Sequence, residues 1–204
     1  MKRPLKPIAD NITQSVWLIN GYGIKITESE VRSRYSEPHR HFHTTEHLND
    51  VLGQIFDIYN CSLDLVPMII AGVFHDIVYD PQRKDNEEKS VEVLESYVSD
   101  SEKNTDIIKQ AKKIILATKT HDKIHDLISD FNKFDCSILD KGLPELLKWE
   151  KEIRNEYSFA PWDVYKERRL MFLKLSLPDH EKNRENLSLL IKKLEEKERE
   201  DDNN

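Results

Sequence analysis

Apolar residues recur at steps of three and four along nearly the whole chain, and no run alternates apolar with polar residues between hairpin turns. The pattern predicts an all-α fold, a single-domain helical bundle over residues 1–204 with its core at about 13–178. From His47 onward, Leu48, Val51, Leu52, Ile55, Phe56 and Tyr59 fall on one stripe, which places His47 at the start of an amphipathic helix on its buried flank. Residues 63–76 are apolar nearly all round, with Pro67 tolerable in the first turn, so this helix is expected at the centre, closed by His75 and Asp76. Asp85-Asn86-Glu87-Glu88 reads as a capping region before Val91, Leu94 and Val98. Ile107, Ile108, Ala111, Ile114, Ile115 and Thr118 mark a further helix whose inner face, continued by about one turn, brings His121 toward the same core. Helices over 143–157 and 162–177 come next, with Pro144 and Pro161 near their starts and Pro178 after the second. The stretch 179–204 carries Leu187, Leu190, Ile191 and Leu194 on one stripe and then turns highly charged, as expected of a docked helix that frays into solvent.

Composition narrows the class of partner. A chain of 204 residues can bury a core without disulfides or a structural metal. A net charge of −7 and a pI near 5.7 argue against a long nucleic acid or an anionic membrane and leave room for one small phosphate compound in a local basic pocket. Cys61 and Cys136 form no CxxC pair, which points to a reducing, cytoplasmic setting. The basic N-terminus, Met1-Lys2-Arg3-Pro4-Leu5-Lys6-Pro7, is followed by Asp10, Asn11, Thr13, Gln14 and Ser15 rather than an apolar run, so export is not expected. The most apolar stretch, 65–78, is interrupted by His75 and Asp76 and falls short of the roughly 20 residues a membrane helix needs.

Two segments carry the chemistry. An adjacent imidazole and carboxylate, His75-Asp76, end the most apolar helix, where burying them without a partner is costly; a metal ion is a partner that suits both. Upstream, His39, His41, His43 and His47 place four of the eight histidines within nine residues. Further on, Asp135 is a lone acid among Phe134, Cys136, Ile138 and Leu139, and so a good ligand candidate.

The order His47, His75-Asp76, Asp135 resembles the H…HD…D signature of the HD-domain metal-dependent phosphohydrolases. Tyr35-Ser36-Glu37-Pro38-His39-Arg40-His41-Phe42-His43 further resembles a bacterial subgroup of predicted HD phosphohydrolases. The likeness runs through Phe74 to Pro81, Asp85-Asn86-Glu87-Glu88, Ala117-Thr118-Lys119-Thr120-His121, Asp135-Cys136-Ser137-Ile138-Leu139 and Ile153-Arg154-Asn155-Glu156-Tyr157, covering about residues 13–178. Asp140 stands where that subgroup would have a small residue, often Gly. The resemblance implies a helical bundle of the HD type in which His47, His75, Asp76 and Asp135 coordinate divalent metal. Two imidazoles and two carboxylates suit Mn, Fe, Co, Ni, Zn or Mg, as one ion or two.

The resemblance also implies hydrolysis of a small phosphate ester, a nucleotide or related phosphomonoester or phosphodiester, by metal-activated water, with Asp76 sharing in that activation as a ligand. Phe42-His43-Thr44-Thr45-Glu46-His47 is similar to the YHNxxH element of cyclic-nucleotide phosphodiesterases, with Phe42 and Thr44 replacing its tyrosine and asparagine; by analogy His43 is a proton donor to the leaving oxygen, or else a helix-start residue or a support for a ligand. His39, Arg40 and His41 are candidates for a phosphate-binding rim, Arg40 alternatively pairing with Glu37 or Glu46. Lys119 and His121 are candidates for substrate phosphate, His121 also for a second metal, or they are a solvated lysine and a core histidine. Glu87 and Glu88 either orient the attacking water or only cap their helix. Two other classes fit the same residues: an HD-type di-iron oxygenase, and a non-catalytic metal-stabilised module that binds a ligand or a protein.

Overall fold

The computed structural model describes residues 10–59, 62, 64–120 and 127–197. Expectations that fall on the N-terminal basic segment, Cys61, His121 and the charged tail after 197 lie outside the described residues. Among those described there are ten α-helices, two short 3₁₀ turns and no strand, so the all-α expectation holds. None of these helices is long and apolar enough to cross a membrane.

The chain divides into two units, Met1–Asp135 and Cys136–Asn204. The first contains α1 (Asn11–Gly21), α2 (Glu28–Arg34), α3 (Thr45–Tyr59), α4 (Leu65–Phe74), α5 (Asn86–Ser96), α6 (Asp106–Ala117) and α7 (Leu127–Asp135). Helix α4 is its centre: every residue but Leu65 is buried, and α1, α3, α5 and α6 pack around it. Burying Ile69, Ile70, Val73 and Phe74 completely contributes about 1.5–3 kcal/mol per side chain, which drives an all-round apolar helix to this position. Gly72 lets α3 come close, because a Cβ there would lie 2.7 Å from Leu52 Cδ2 and 3.2 Å from Ile55 Cδ1.

Helices α1, α2 and α7 were not expected as separate elements. Asp10 caps α1 by accepting from the Thr13 amide at 2.9 Å, and Thr27 and Glu30 form a reciprocal capping box at the start of α2. Asp10 also pairs with Arg32, joining the two helices. Asn11 fixes α1 to α3 by donating two 3.0 Å bonds to Asn49, from its amide to the side-chain oxygen and from its side chain to the carbonyl. Helix α7 is tied to α3 where the Tyr59 hydroxyl donates to Asp130 Oδ2 at 2.6 Å. That bond and the neighbouring Lys133 hold the Asp130 carboxyl below its ordinary range. The expected cap of α5 differs in detail: the helix starts at Asn86, but the Asp85 carboxylate binds Arg83 instead of a helix amide.

The second unit holds a 3₁₀ turn at Ser137–Asp140, α8 (Leu143–Glu156), α9 (Trp162–Ser176), a 3₁₀ turn at Glu181–Asn183 and α10 (Arg184–Glu196). Pro144 sits in the first turn of α8, as its lack of an amide hydrogen favours. Asp140, the departure from the resembled pattern, accepts from His180 Nδ1 at 2.8 Å, while Asn183 donates to the Leu139 and Lys141 carbonyls, so the residue serves to close this turn. Inside the unit, Arg169 Nε and the Tyr165 hydroxyl both donate to Glu150 at 2.7 Å, and the guanidinium lies 3.9 Å from the Trp149 ring centre. Burial and the Glu150 charge push the Tyr165 hydroxyl far above its ordinary pKa.

Candidate metal centre

Three helices of the first unit deliver the expected ligands to one point. Helix α3 presents His47 from its first turn, α4 ends on His75, the turn after it carries Asp76, and α7 closes on Asp135. One ligand atom from each lies within 4.8 Å of all the others, a group that could hold a metal ion. An ion bound at about 2.0–2.2 Å spans donors up to about 4.4 Å apart, so the group needs adjustments of only a few tenths of an ångström. His47 Nε2 lies 3.1 Å from Asp135 Oδ1, and His75 Nε2 lies 3.2 Å from Asp76 Oδ2 and 3.5 Å from Asp135 Oδ1.

The end of α4 explains why the His75 ring points as it does. The last carbonyls of a helix lack intrahelical partners. Here the His75 amide donates to the Ala71 carbonyl at 2.8 Å, and His75 Nδ1–H donates to the Gly72 carbonyl at 2.9 Å. The Tyr35 hydroxyl takes the Val73 carbonyl at 3.1 Å, and burial pushes that hydroxyl up to about 12. With its proton fixed on Nδ1, His75 turns Nε2 toward two carboxylates. Nε2 is buried and makes no hydrogen bond of good geometry, although both carboxylates are close. A lone pair facing two anions requires either a proton or a cation. Burial opposes the proton most strongly of any one effect, but the Asp76 charge, Tyr35 and the nearby Asp135 together outweigh it and raise the His75 pKa well above its ordinary value. Asp76 answers in kind: burial works against its ionisation, and the His75 cation, helped by His43, holds its carboxyl far below the usual range.

The irregular stretch after the helix is satisfied residue by residue, largely by side chains whose role the sequence did not disclose. Arg40 Nη1 donates to the Asp76 carbonyl at 2.8 Å and Nη2 to the Ile77 carbonyl at 3.4 Å. Ser90, fully buried on α5, accepts from the Val78 amide at 3.2 Å and donates to its carbonyl at 3.4 Å. His39 Nε2 donates to the Tyr79 carbonyl at 2.6 Å. Asn86 accepts from the Asp80 amide and donates to its carbonyl. Backbone at this depth demands such partners, and a polar residue on an inward helix face, such as Ser90, was the available signal.

The remaining expected site residues separate into two groups. His43 lies near the ligands, in the turn before α3 and not within the helix; its ring stacks on Tyr79 at 4.2 Å and meets the His47 ring edge-on at 5.7 Å. Arg40 does not form an open rim. Its side chain is wholly buried, with Nε on Glu37 Oε2 at 3.0 Å, so the alternative of a structural arginine paired with Glu37 is the one its contacts favour. His39 keeps a partly exposed ring while its Nε2 holds Tyr79. Lys119 pairs with Glu88, and Glu87 Oε2 stands 3.9 Å from the same ammonium, so these three form a surface ion cluster at the start of α5. Phe131, unnoticed in the sequence, sets its ring edge against His75 at 5.4 Å and helps close the site from water.

No protein-family profile, curated protein or solved structure matches the chain.

Proposed function

We propose that this chain is a metal-dependent hydrolase of a small phosphate ester, a nucleotide or related phosphomonoester or phosphodiester. The observation that carries the reading is the buried His75 Nε2, turned by the Gly72 carbonyl toward Asp76 and Asp135 with His47 beside them. In this reading His47, His75, Asp76 and Asp135 hold a divalent ion, which supplies a water of lowered pKa and offsets charge on the phosphoryl oxygens. The donor set of two nitrogens and two carboxylates fits Mn, Fe, Co, Ni, Zn or Mg. His43, held flat against Tyr79 and next to the ligands, donates a proton to the leaving oxygen. Phe131 and the buried end of α4 limit water around the ligands, which strengthens every charge interaction there. Phosphate contacts fall to His39, whose ring is partly exposed, and to Lys119 only if it leaves Glu88.

The test begins with metal analysis of purified protein and of Asp135→Ala. Stoichiometric metal in the first and its loss from the second support the site. Hydrolysis of nucleotides, cyclic nucleotides and nitrophenyl phosphomonoesters and phosphodiesters is then measured with each divalent ion, as phosphate, product nucleotide or nitrophenol formed. If the metal-loaded protein hydrolyses every ester no faster than Asp76→Ala, the hydrolase reading fails.

A further inference from the structure

Arg40 joins the two segments on which the proposed chemistry depends. Its Nη1 donates to the Asp76 carbonyl at 2.8 Å and also to the His43 carbonyl at 3.2 Å, while Nη2 reaches the Ile77 carbonyl at 3.4 Å. The guanidinium lies between the Tyr35 ring at 5.1 Å and the Tyr79 ring at 5.3 Å. Tyr35 in turn binds the end of α4, and Tyr79 stacks on His43. Both Nη atoms thus serve main chain, Nε serves Glu37, and the side chain has no exposed surface. A planar, permanently charged fork of donors suits this task, since one group can satisfy carbonyls on two strands of chain at fixed angles.

We propose that Arg40 is a positioning residue: it locks the turn bearing His75 and Asp76 to the turn bearing His43, and so sets the distance between the metal ligands and the proton donor. This rests on the hydrolase reading for its kinetic consequence but not for its structural one. A displacement of about 1 Å between reacting groups can lower a rate by roughly 10²-fold.

The variants are Arg40→Met and Arg40→Lys, the second keeping a cation between the tyrosines while reaching fewer carbonyls. Both are expected to retain one ion per chain and a KM within about threefold of wild type, with kcat lower by about 10²-fold. His43→Ala is expected to slow the wild type by about tenfold or more but Arg40→Met by less than about threefold, because the donor is already out of place. If KM rises tenfold with kcat retained, Arg40 anchors substrate and the proposal is overturned. Equal effects of His43→Ala in both backgrounds overturn it too. Should Arg40→Met fail to fold, Arg40→Lys carries the same comparisons. If the wild type binds metal but turns over no ester, the hydrolase reading fails separately, and the visible bands of cobalt-loaded Arg40→Lys decide: altered bands at unchanged stoichiometry support the lock, identical bands refute it. If no metal binds either, amide exchange at 43–45 and 76–78 decides, a joint acceleration of at least tenfold in Arg40→Lys supporting the lock and unchanged exchange refuting it.

Discussion

Raising the pH from 6 to 8 is expected to tighten divalent-metal binding steeply, because a metal ion must displace a proton from His75. In the metal-free protein that proton sits on Nε2, 3.2 Å from Asp76 and 3.5 Å from Asp135; burial opposes it, but Asp76, Tyr35 and Asp135 together raise the pKa well above the ordinary value of 6.5. Nδ1 cannot release its own proton cheaply, since the Gly72 carbonyl binds it at 2.9 Å. Below the folded-state pKa, displacement of one proton makes the apparent Kd fall about tenfold per pH unit, about 1.4 kcal/mol. The sign for the metal-free protein is opposite. A raised His75 pKa contributes stability that is present below about 6.5 and is lost as pH rises through the folded value, whereas the depressed Asp76 pKa contributes stability that is lost as pH falls below about 3.8. The gap in Tm between metal-loaded and metal-free protein therefore widens from pH 6 to pH 8. Calorimetric titration in two buffers of different ionisation enthalpy counts the protons directly, and close to one per ion is expected from His75 near neutral pH. A Kd that stays flat across this range, with no proton released, would refute the assignment of Nε2 as the protonated ligand atom.

Three further outcomes test the packing inside each unit. Gly72→Val is expected to destabilise the protein by about 1–3 kcal/mol in urea titration, because even a Cβ lies 2.7 Å from Leu52 Cδ2, and Leu52 and Ile55 are both fully buried; an unchanged midpoint would mean that α3 and α4 are less closely packed than they are here. Ser90→Ala leaves the Val78 amide and carbonyl without their side-chain partner, for a cost of about 1–3 kcal/mol by the same assay, and a loss below about 0.5 kcal/mol would remove Ser90 from the account of this loop. In the second unit, Glu150→Ala strands Arg169 and Tyr165, and thermal unfolding is expected to show a loss of about 3–5 kcal/mol, whereas Glu150→Gln, which keeps an acceptor, costs less; equal losses would show that the charge carries the whole effect and the retained acceptor none.

The ligands were legible because their setting was unusual: His75 and Asp76 end a helix with no polar face, where two polar groups need an explanation. His47 was legible for the same reason, standing in line with Leu48, Val51 and Ile55. Helices α1 and α2 carried local signals that went unread, the Asp10 cap and the Thr27 to Glu30 capping box. Helix α7 is different in kind. Its nine residues mix two phenylalanines with acids, asparagine and lysine, and its place depends on Tyr59 meeting Asp130, a contact 71 residues apart in sequence. Arg40 shows the limit most clearly. A guanidinium offers the same fork to a phosphate and to carbonyl oxygens, so only its burial distinguishes the two, and burial is a property of the folded chain.

That reassignment changes the electrostatics of the proposed site. With Arg40 turned to the main chain and Lys119 held by Glu88, the described cations nearest the sequence's phosphate-binding expectation are already engaged. The four-residue group itself contains two carboxylates, and a phosphate ester approaching it without a cation would meet repulsion from both Asp76 and Asp135. Metal and substrate binding are then positively coupled: an ester is expected to bind weakly or not at all to metal-free protein, binding to emerge with the ion, and the ester to tighten the ion by the same factor. The same logic explains why the group is a poor candidate for a purely structural ion pair. A structural histidine and aspartate gain most when each donor meets one acceptor in line, yet here the buried Nε2 faces two carboxylates and is in line with neither. An arrangement that sets one nitrogen against two anions with no bond in line is a poorly directed salt bridge and apt as three sides of a cation site, with His47 able to supply the fourth.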